Sequence, residues 1–270
     1  MNNTVQHMLS QQQINQFQEK GATVIRGAFL PWVERAREAI EENKANPSWR
    51  ERTYTPDGAE SAFFQDYCVW QDFRGYRELV SDSPMASIAA QLMKSRTARV
   101  FHDHILVKEP GSSIKTPWHQ DQPYYLVEST QNVSFWVPLD PVPRDRTIEY
   151  VGGSHRWGKQ FKPKRFDGTD LFPGDTAESV PDVDSERDNL EILGWAVEPG
   201  DAVAFTFSTI HGAPANQSPD RRRVISIRWV GDDARFAKRK GTTSPAFPDL
   251  EYEDGAPFDA PVFPVLHPPS

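Results

Sequence analysis

A histidine and an aspartate stand one residue apart in the segment TPWHQDQPYY, as His119 and Asp121, and a second histidine, His211, follows later in TIHGAPANQ. On extended chain, residues i and i+2 point to one side, so the first pair can offer an imidazole nitrogen and a carboxylate oxygen to a single ion. Two such groups hold a metal poorly. His211 is the third candidate because it follows EPGDAVAFTFS, a tight turn that runs into a β-rich stretch. Two histidines and one carboxylate leave coordination positions open for a co-substrate and dioxygen, the arrangement of non-haem Fe(II) oxygenases. A structural hydrogen-bonded pair is the alternative for the triplet HQD, which by itself does not decide the matter. Arg222 adds weight to the metal reading. It lies in RRRVISIRW, where Arg222, Val224 and Ser226 alternate onto one face. An inward guanidinium beside a hydroxyl calls for a counter-anion, and its planar fork suits a carboxylate held at two points. The other two arginines of the run fit a solvated basic patch.

The strands that must carry these groups begin at Ala98. From there, short β-like runs alternate with turn residues: ARVFHDHILVKEPG, NVSFWVPLD, IEYVGGSH, WAVEPGDAVAFTF and RRRVISIRWVGD. That cadence predicts a sandwich or jelly roll, mainly β with flanking helices. Ahead of it the chain is α-rich. Ser10 can cap QQQINQFQEKG, Gly21 sits where that helix would stop, ATVIRG is short and β-like, and LPWVERAREAIEENK and SPMASIAAQLMKS have helical spacing. Residues 52–76 lack any sustained period and gather Phe63, Phe64, Tyr67, Trp70 and Phe73. They are expected to form a mobile lid that closes Trp70 over a substrate, with simple padding of the sheet as the alternative. Residues 162–189 form a long insertion between strands, and the proline-rich tail of about 240–270 is expected to wrap the surface as extended chain or stay mobile. One domain is expected across residues 1–270, with a helical part at about 1–97 and the β core at about 98–232.

Composition bounds the partner. The 270 residues are 37% hydrophobic and 25% charged, as in a soluble globular protein, and no apolar run approaches the length of a membrane span. Nothing at the N-terminus marks an export signal, and the single Cys68 fits a reducing cytoplasm. A net charge of −8 argues against nucleic acid or an anionic membrane as the main partner, which leaves small molecules as the substrate class. None of these features addresses the oligomeric state.

In this order, HQD, WVPLD, GGSHR, EPGDAVAF, HGAPAN and RRRVIS resemble the phytanoyl-CoA dioxygenase family of Fe(II)- and 2-oxoglutarate-dependent oxygenases. The likeness spans roughly Val100 to Trp229. It implies a double-stranded β-helix, the jelly roll of the cupins, with Fe(II), 2-oxoglutarate and O2 as cofactor and co-substrates. By the same resemblance, His119, Asp121 and His211 match the iron ligands, and Arg222 with Ser226 match the element that receives the distal carboxylate of 2-oxoglutarate. Trp136 falls at an aromatic position of the co-substrate pocket. His104 falls where a side chain touches the co-substrate, with His102 alternating on the same face. Where many relatives carry an Asn-Gly turn, this chain has Arg146 and Thr147, so an altered substrate contact is expected there. Related halogenases replace the aspartate by a small residue; Asp121 is retained here, which favours hydroxylation, with succinate and CO2 as co-products. The aromatic neighbours Tyr124 and Tyr125, together with Trp70, are the expected substrate contacts, suited to an amine or an apolar chain. A cupin that uses Zn or Mn for hydrolysis or isomerisation could share the ligands but would have no need of Arg222 and Ser226.

Overall fold

The computed structural model describes residues 9–55, 61–165 and 168–268. Four helices and three short strands precede the main β region. Helix α1 (Gln11–Lys20) begins at a capping box between Ser10 and Gln13 and ends at Gly21, whose φ of 82° is a left-handed conformation that glycine adopts without penalty. A side chain there would also strike Thr209 and His155. Strand β1 (Ala22–Ile25) follows, then α2 (Val33–Ala45), β2 (Arg52–Tyr54), β3 (Phe63–Tyr67), α3 (Arg74–Ser81) and α4 (Met85–Met93).

Strands β4 (Ala98–Lys108), β5 (Thr116–His119), β6 (Val127–Glu128), β7 (Asn132–Pro138), β8 (Glu149–Val151) and β9 (Ile192–Leu193) come next. They are followed by β10 (Ala202–Phe205), β11 (His211–Ala213), β12 (Arg222–Val230), β13 (Arg235–Phe236) and β14 (Val265–His267). The larger sheet runs β1-β10-β7-β12-β4-β3-β2, with β14 added beside β4, and the smaller runs β5-β11-β8-β9. These two antiparallel sheets are the jelly roll that the strand cadence predicts.

The period of two along each strand decides what each face of the large sheet does. Ile105, Val107, Phe135, Val137, Ile225 and Ile227 point to the helices and join the buried cluster that contains Ile40, Leu79 and Ile88. Their neighbours in sequence, including His102, His104, Lys108, Trp136, Arg222, Ser226 and Arg228, face the inside of the roll. One strand thus supplies apolar burial on one side and chemistry on the other.

The segment expected to be a lid is divided among three structures. Residues 63–67 form β3, an inner strand of the large sheet, and 74–81 form α3, a helix that the aromatic-rich sequence does not announce. Trp70 is 8% exposed and belongs to the helix-side core instead of the cavity. The turn before it is held by buried Asp103, whose carboxylate accepts the backbone N–H groups of Val69 and Trp70 at 3.1 and 3.0 Å. Trp70 is therefore a packing residue, and the expected substrate contact is corrected. Trp70→Ala should lower stability by about 3–5 kcal/mol, seen as a large fall in Tm, while leaving the turnover of the site unchanged.

The tail is held by its aromatic rings. Its prolines deny it a long ladder, but Phe258 and Phe263 are buried with Phe101, Tyr125, Phe207 and Phe236 in a second apolar cluster. Ring burial anchors this extended chain where hydrogen-bonded pairing does not. Among the described residues, no helix is long and apolar enough to cross a membrane.

Candidate active site

His119 ends β5 and His211 begins β11, and the two residues are direct antiparallel partners. Asp121 lies just past the end of β5, where its backbone N–H donates to the Phe207 carbonyl at 2.8 Å. Pairing in the small sheet therefore brings together side chains 92 positions apart in sequence. One ligand-type atom from each of His119, Asp121 and His211 falls within 4.8 Å of the others. Asp121 Oδ1 is 3.6 Å from His119 Nε2 and 3.8 Å from His211 Nε2, too far for hydrogen bonds and suited to an ion between them.

The remaining atoms of these side chains fix which ones are free. His119 Nδ1 lies 2.8 Å from the Pro117 carbonyl and His211 Nδ1 lies 2.9 Å from that of Thr209. A carbonyl only accepts, so each Nδ1 carries the proton and each Nε2 presents a lone pair inward. Asp121 Oδ2 accepts from Ser134 Oγ at 3.1 Å and faces Arg228 Nη2 at 3.5 Å, which leaves Oδ1 for a ligand. Burial by itself would raise the Asp121 carboxyl, but the Arg228 guanidinium beside it holds it well below the usual carboxylate range. Burial pushes His211 down to about 3, so it is a neutral donor across the physiological range. This donor set fits a divalent metal such as iron on all three counts: atom identity, proximity and protonation.

Arg228 is buried behind the carboxylate. Its Nε donates to Tyr125 Oη at 3.0 Å and its Nη1 to the Ser226 carbonyl at 3.1 Å. These contacts aim the third nitrogen at Asp121. Arg228→Met keeps most of the stem volume and removes that support, so metal affinity should fall roughly tenfold, measured by Ni(II) titration of the folded variant.

The metal position opens into a cavity of about 560 Å³. At one side of it, Arg222 is 6% exposed and gives hydrogen bonds only to carbonyls, from Nη1 to Arg146 at 2.7 Å and from Nη2 to Pro214 at 3.2 Å. No described carboxylate pairs with it, and burial pulls its guanidinium down to about 10. Lys108 lies directly opposite Arg222 across β4 and β12, buried, with Nζ donating to the Ile114 carbonyl at 2.7 Å. Burial, and then Arg222, hold that amine well below the usual range. A guanidinium and an amine buried without an anion are costly to keep charged, and a dicarboxylate such as 2-oxoglutarate would supply the missing charge. Ser226 Oγ and His102 Nε2 are buried, belong to residues that line the same cavity, and have no hydrogen-bond partner among the described residues. The residues present therefore fit 2-oxoglutarate as well as the metal.

The other expected site residues divide. Trp136, His104, Tyr124 and Tyr125 all line the cavity, and His102 does so beside His104. His104 Nε2 is 2.8 Å from Gln65 Oε1, and its ring stacks on Tyr67 at 4.0 Å. Tyr125 is a buried member of the second apolar cluster and spends its hydroxyl on Arg228. Arg146 and Thr147 are corrected: neither side chain lines the cavity, because Thr147 turns into the interior and Arg146 contributes only its carbonyl, to Arg222. Ser226 stands four residues from Arg222 on an extended strand, a separation of roughly 13 Å. It pairs with His104 and Trp136, so it sits nearer the metal side than the Arg222 end.

Lys108 and Arg228 are functional candidates that the sequence reasoning does not single out, although the signal is there. Lys108 shares the parity of His102 and His104 on β4, and Arg228 shares that of Arg222 and Ser226 on β12.

Comparison with known proteins agrees with this geometry. The chain is 24% identical over 200 residues to a probable phytanoyl-CoA dioxygenase of Caenorhabditis elegans, a match that covers 71% of this chain and 58% of that protein's length. It superposes on the carbocyclase SnoK of nogalamycin biosynthesis with a TM-score of 0.73 at 24% identity, over 95% of this chain and 96% of SnoK. The epimerase SnoN, solved with Fe3+, alpha ketoglutarate and nogalamycin RO, superposes with a TM-score of 0.74 at 18% identity, over 94% of this chain and 97% of SnoN. These likenesses establish a shared fold. Residues 17–224 match the family described as Phytanoyl-CoA dioxygenase (PhyH), and on that match, which takes in every one of the three clustered ligand residues and Arg222, the chain belongs to the phytanoyl-CoA dioxygenase family.

Proposed function

We propose that this protein is an Fe(II)- and 2-oxoglutarate-dependent oxygenase that hydroxylates a C–H bond of a small molecule. The observation that carries the reading is the pairing of a three-donor metal position with two buried basic side chains, Arg222 and Lys108, that have no carboxylate partner among the described residues, in one cavity. A metal-binding hydrolase or isomerase would gain nothing from Arg222 and Lys108. Bound iron, with 2-oxoglutarate and dioxygen, supplies the oxidising chemistry, in which 2-oxoglutarate leaves as succinate and CO2.

The chain's own residues bind and orient. His119, Asp121 and His211 offer Nε2, Oδ1 and Nε2 to the metal from one side, which leaves the cavity side open to the co-substrate. Arg222 and Lys108 hold the distal carboxylate of 2-oxoglutarate by charge-assisted hydrogen bonds, and their fixed carbonyl partners keep both cations in place before it arrives. Trp136 and Val224, on the same wall, pack against its methylene groups. Tyr124 donates its hydroxyl to the Lys164 carbonyl at 2.6 Å and accepts from the Lys164 N–H at 2.8 Å, pinning the 162–189 insertion over the opening. That cover keeps bulk water from the reacting centre.

Two of the structural neighbours are a carbocyclase and an epimerase, so product analysis is the test of hydroxylation. Small metabolites should be screened for substrate-dependent succinate formation and each product weighed. Gain of one oxygen atom is the expected result. Loss of two hydrogens, or an isomer of unchanged mass, would replace hydroxylation by ring closure or epimerisation at the same site.

A further inference from the structure

We infer that the substrate carries an anionic group, held at the cavity mouth by Arg50, Arg52, Lys164 and Arg165, with an apolar or aromatic body that reaches inward. This rests on the oxygenase reading above and names a substrate class for it. The chain as a whole is acidic, at −8, yet among the described residues Asp121 is the only acidic side chain that lines the cavity. Of the cations that line it, Lys108, Arg222 and Arg228 already have roles at the inner end. Lys162 is discounted because it faces Asp170 at 3.5 Å.

The four at the mouth have no described carboxylate partner. Arg50 donates from Nε and Nη2 to the Ala246 carbonyl, both at 3.2 Å, and stacks over Trp49 at 4.2 Å. Among the described residues, Arg52 reaches only the Glu51 carbonyl, and Arg165 only the Thr169 hydroxyl and the Asp170 and Leu171 carbonyls. The Lys164 amine makes no hydrogen bond or ion pair among the described residues. Elsewhere on the chain such side chains are commonly matched, as in Arg223 with Asp140 at 2.7 Å and Arg239 with Glu128 at 2.7 Å.

Two segments more than a hundred positions apart thus bring like charges to one cavity, which Ala246 of the tail also lines. Uncompensated cations around a low-dielectric cleft repel one another and attract an anion. The same cavity is also lined by Tyr54, Tyr67, Trp118, Leu171 and Val180. An anionic head with an apolar body matches both surfaces.

The test uses the full chain loaded with Ni(II), a redox-inert stand-in, and 2-oxoglutarate. Two fluorescent probes share one aromatic body: anilinonaphthalene sulfonate and N-phenylnaphthylamine, which lacks the sulfonate. The sulfonate should bind about tenfold tighter or better, and the combined Arg52→Gln, Lys164→Gln and Arg165→Gln variant should abolish the difference while the Kd of 2-oxoglutarate stays unchanged. Lys164→Glu alone, at a side chain with no hydrogen bond or ion pair among the described residues, should weaken sulfonate binding. The inference is overturned if the sulfonate has no advantage, including failure of both probes to bind. It is also overturned if the variant keeps the preference, or if the variant loses 2-oxoglutarate affinity, which would make the rim a guide for the co-substrate. Loss of metal-dependent 2-oxoglutarate binding in the native chain would sink the oxygenase reading separately, since the probe comparison repeats without co-substrate.

Discussion

Asp121→Ala should leave a folded protein whose turnover of 2-oxoglutarate is lower by roughly a thousandfold or more, because the metal carries the difficult chemistry and this side chain supplies its only anionic donor. The alternative role, a hydrogen-bonded pair with His119, fails on distance: Asp121 Oδ1 is 3.6 Å from His119 Nε2. The variant also removes the anion facing Arg228 at 3.5 Å, so some loss of Tm accompanies the loss of activity. His119→Ala separates the two effects. Its side chain is 23% exposed and has no cation behind it, so it should lose turnover to a similar degree with a smaller change in melting. Succinate formation and thermal unfolding, measured on both variants, check this. Near-native turnover in either would contradict the ligand assignment.

Arg222→Ala should raise the KM for 2-oxoglutarate by roughly 100-fold, equivalent to about 2.7 kcal/mol, the scale of a buried charge-assisted contact. The effect should fall on KM more than on kcat, since the contact proposed for the guanidinium is to the carboxylate remote from the metal. Arg221→Ala, one residue before the strand, is the control. Arg221 points outward to Glu109 at 2.8 Å and Glu41 at 2.7 Å, and exposed pairs of that kind contribute about 1 kcal/mol or less. Equal KM effects from the two substitutions would show that the buried cation at Arg222 serves packing and not the co-substrate.

The ease of finding Arg222 and the difficulty of finding Lys108 have one physical origin. Strand alternation reports which side chains share a face, so His102, His104 and Lys108 are legible as a set, and so are Arg222, Ser226 and Arg228. Alternation does not report which strands become neighbours. The pairing of Arg222 with Lys108 across β12 and β4, and the placing of Arg228 behind Asp121, exist only once the sheet has closed.

Residues 63–76 fail for a different reason. Their aromatics belong to a strand, a turn fixed by Asp103 and a helix in quick succession, so no single period survives along the stretch. Trp70 is indistinguishable in sequence from a pocket residue until Asp103 is seen to turn it toward the helices. The tail and the 162–189 insertion are legible as irregular chain. Their part in walling the cavity, through Ala246, Leu171 and Val180, is a matter of packing that spacing does not encode.

The most direct test of the account is calorimetric titration of 2-oxoglutarate into the full chain without oxygen, with and without Fe(II). The metal position and the basic side chains line one cavity, so a co-substrate held by both at once is the expectation under the proposed function. Binding should therefore be strong only when Fe(II) is present, should saturate at a single site, and should weaken sharply in both Asp121→Ala and Arg222→Ala. Binding that ignores the metal, or no binding at all, would contradict the assignment of this cavity to an Fe(II)- and 2-oxoglutarate-dependent oxygenase.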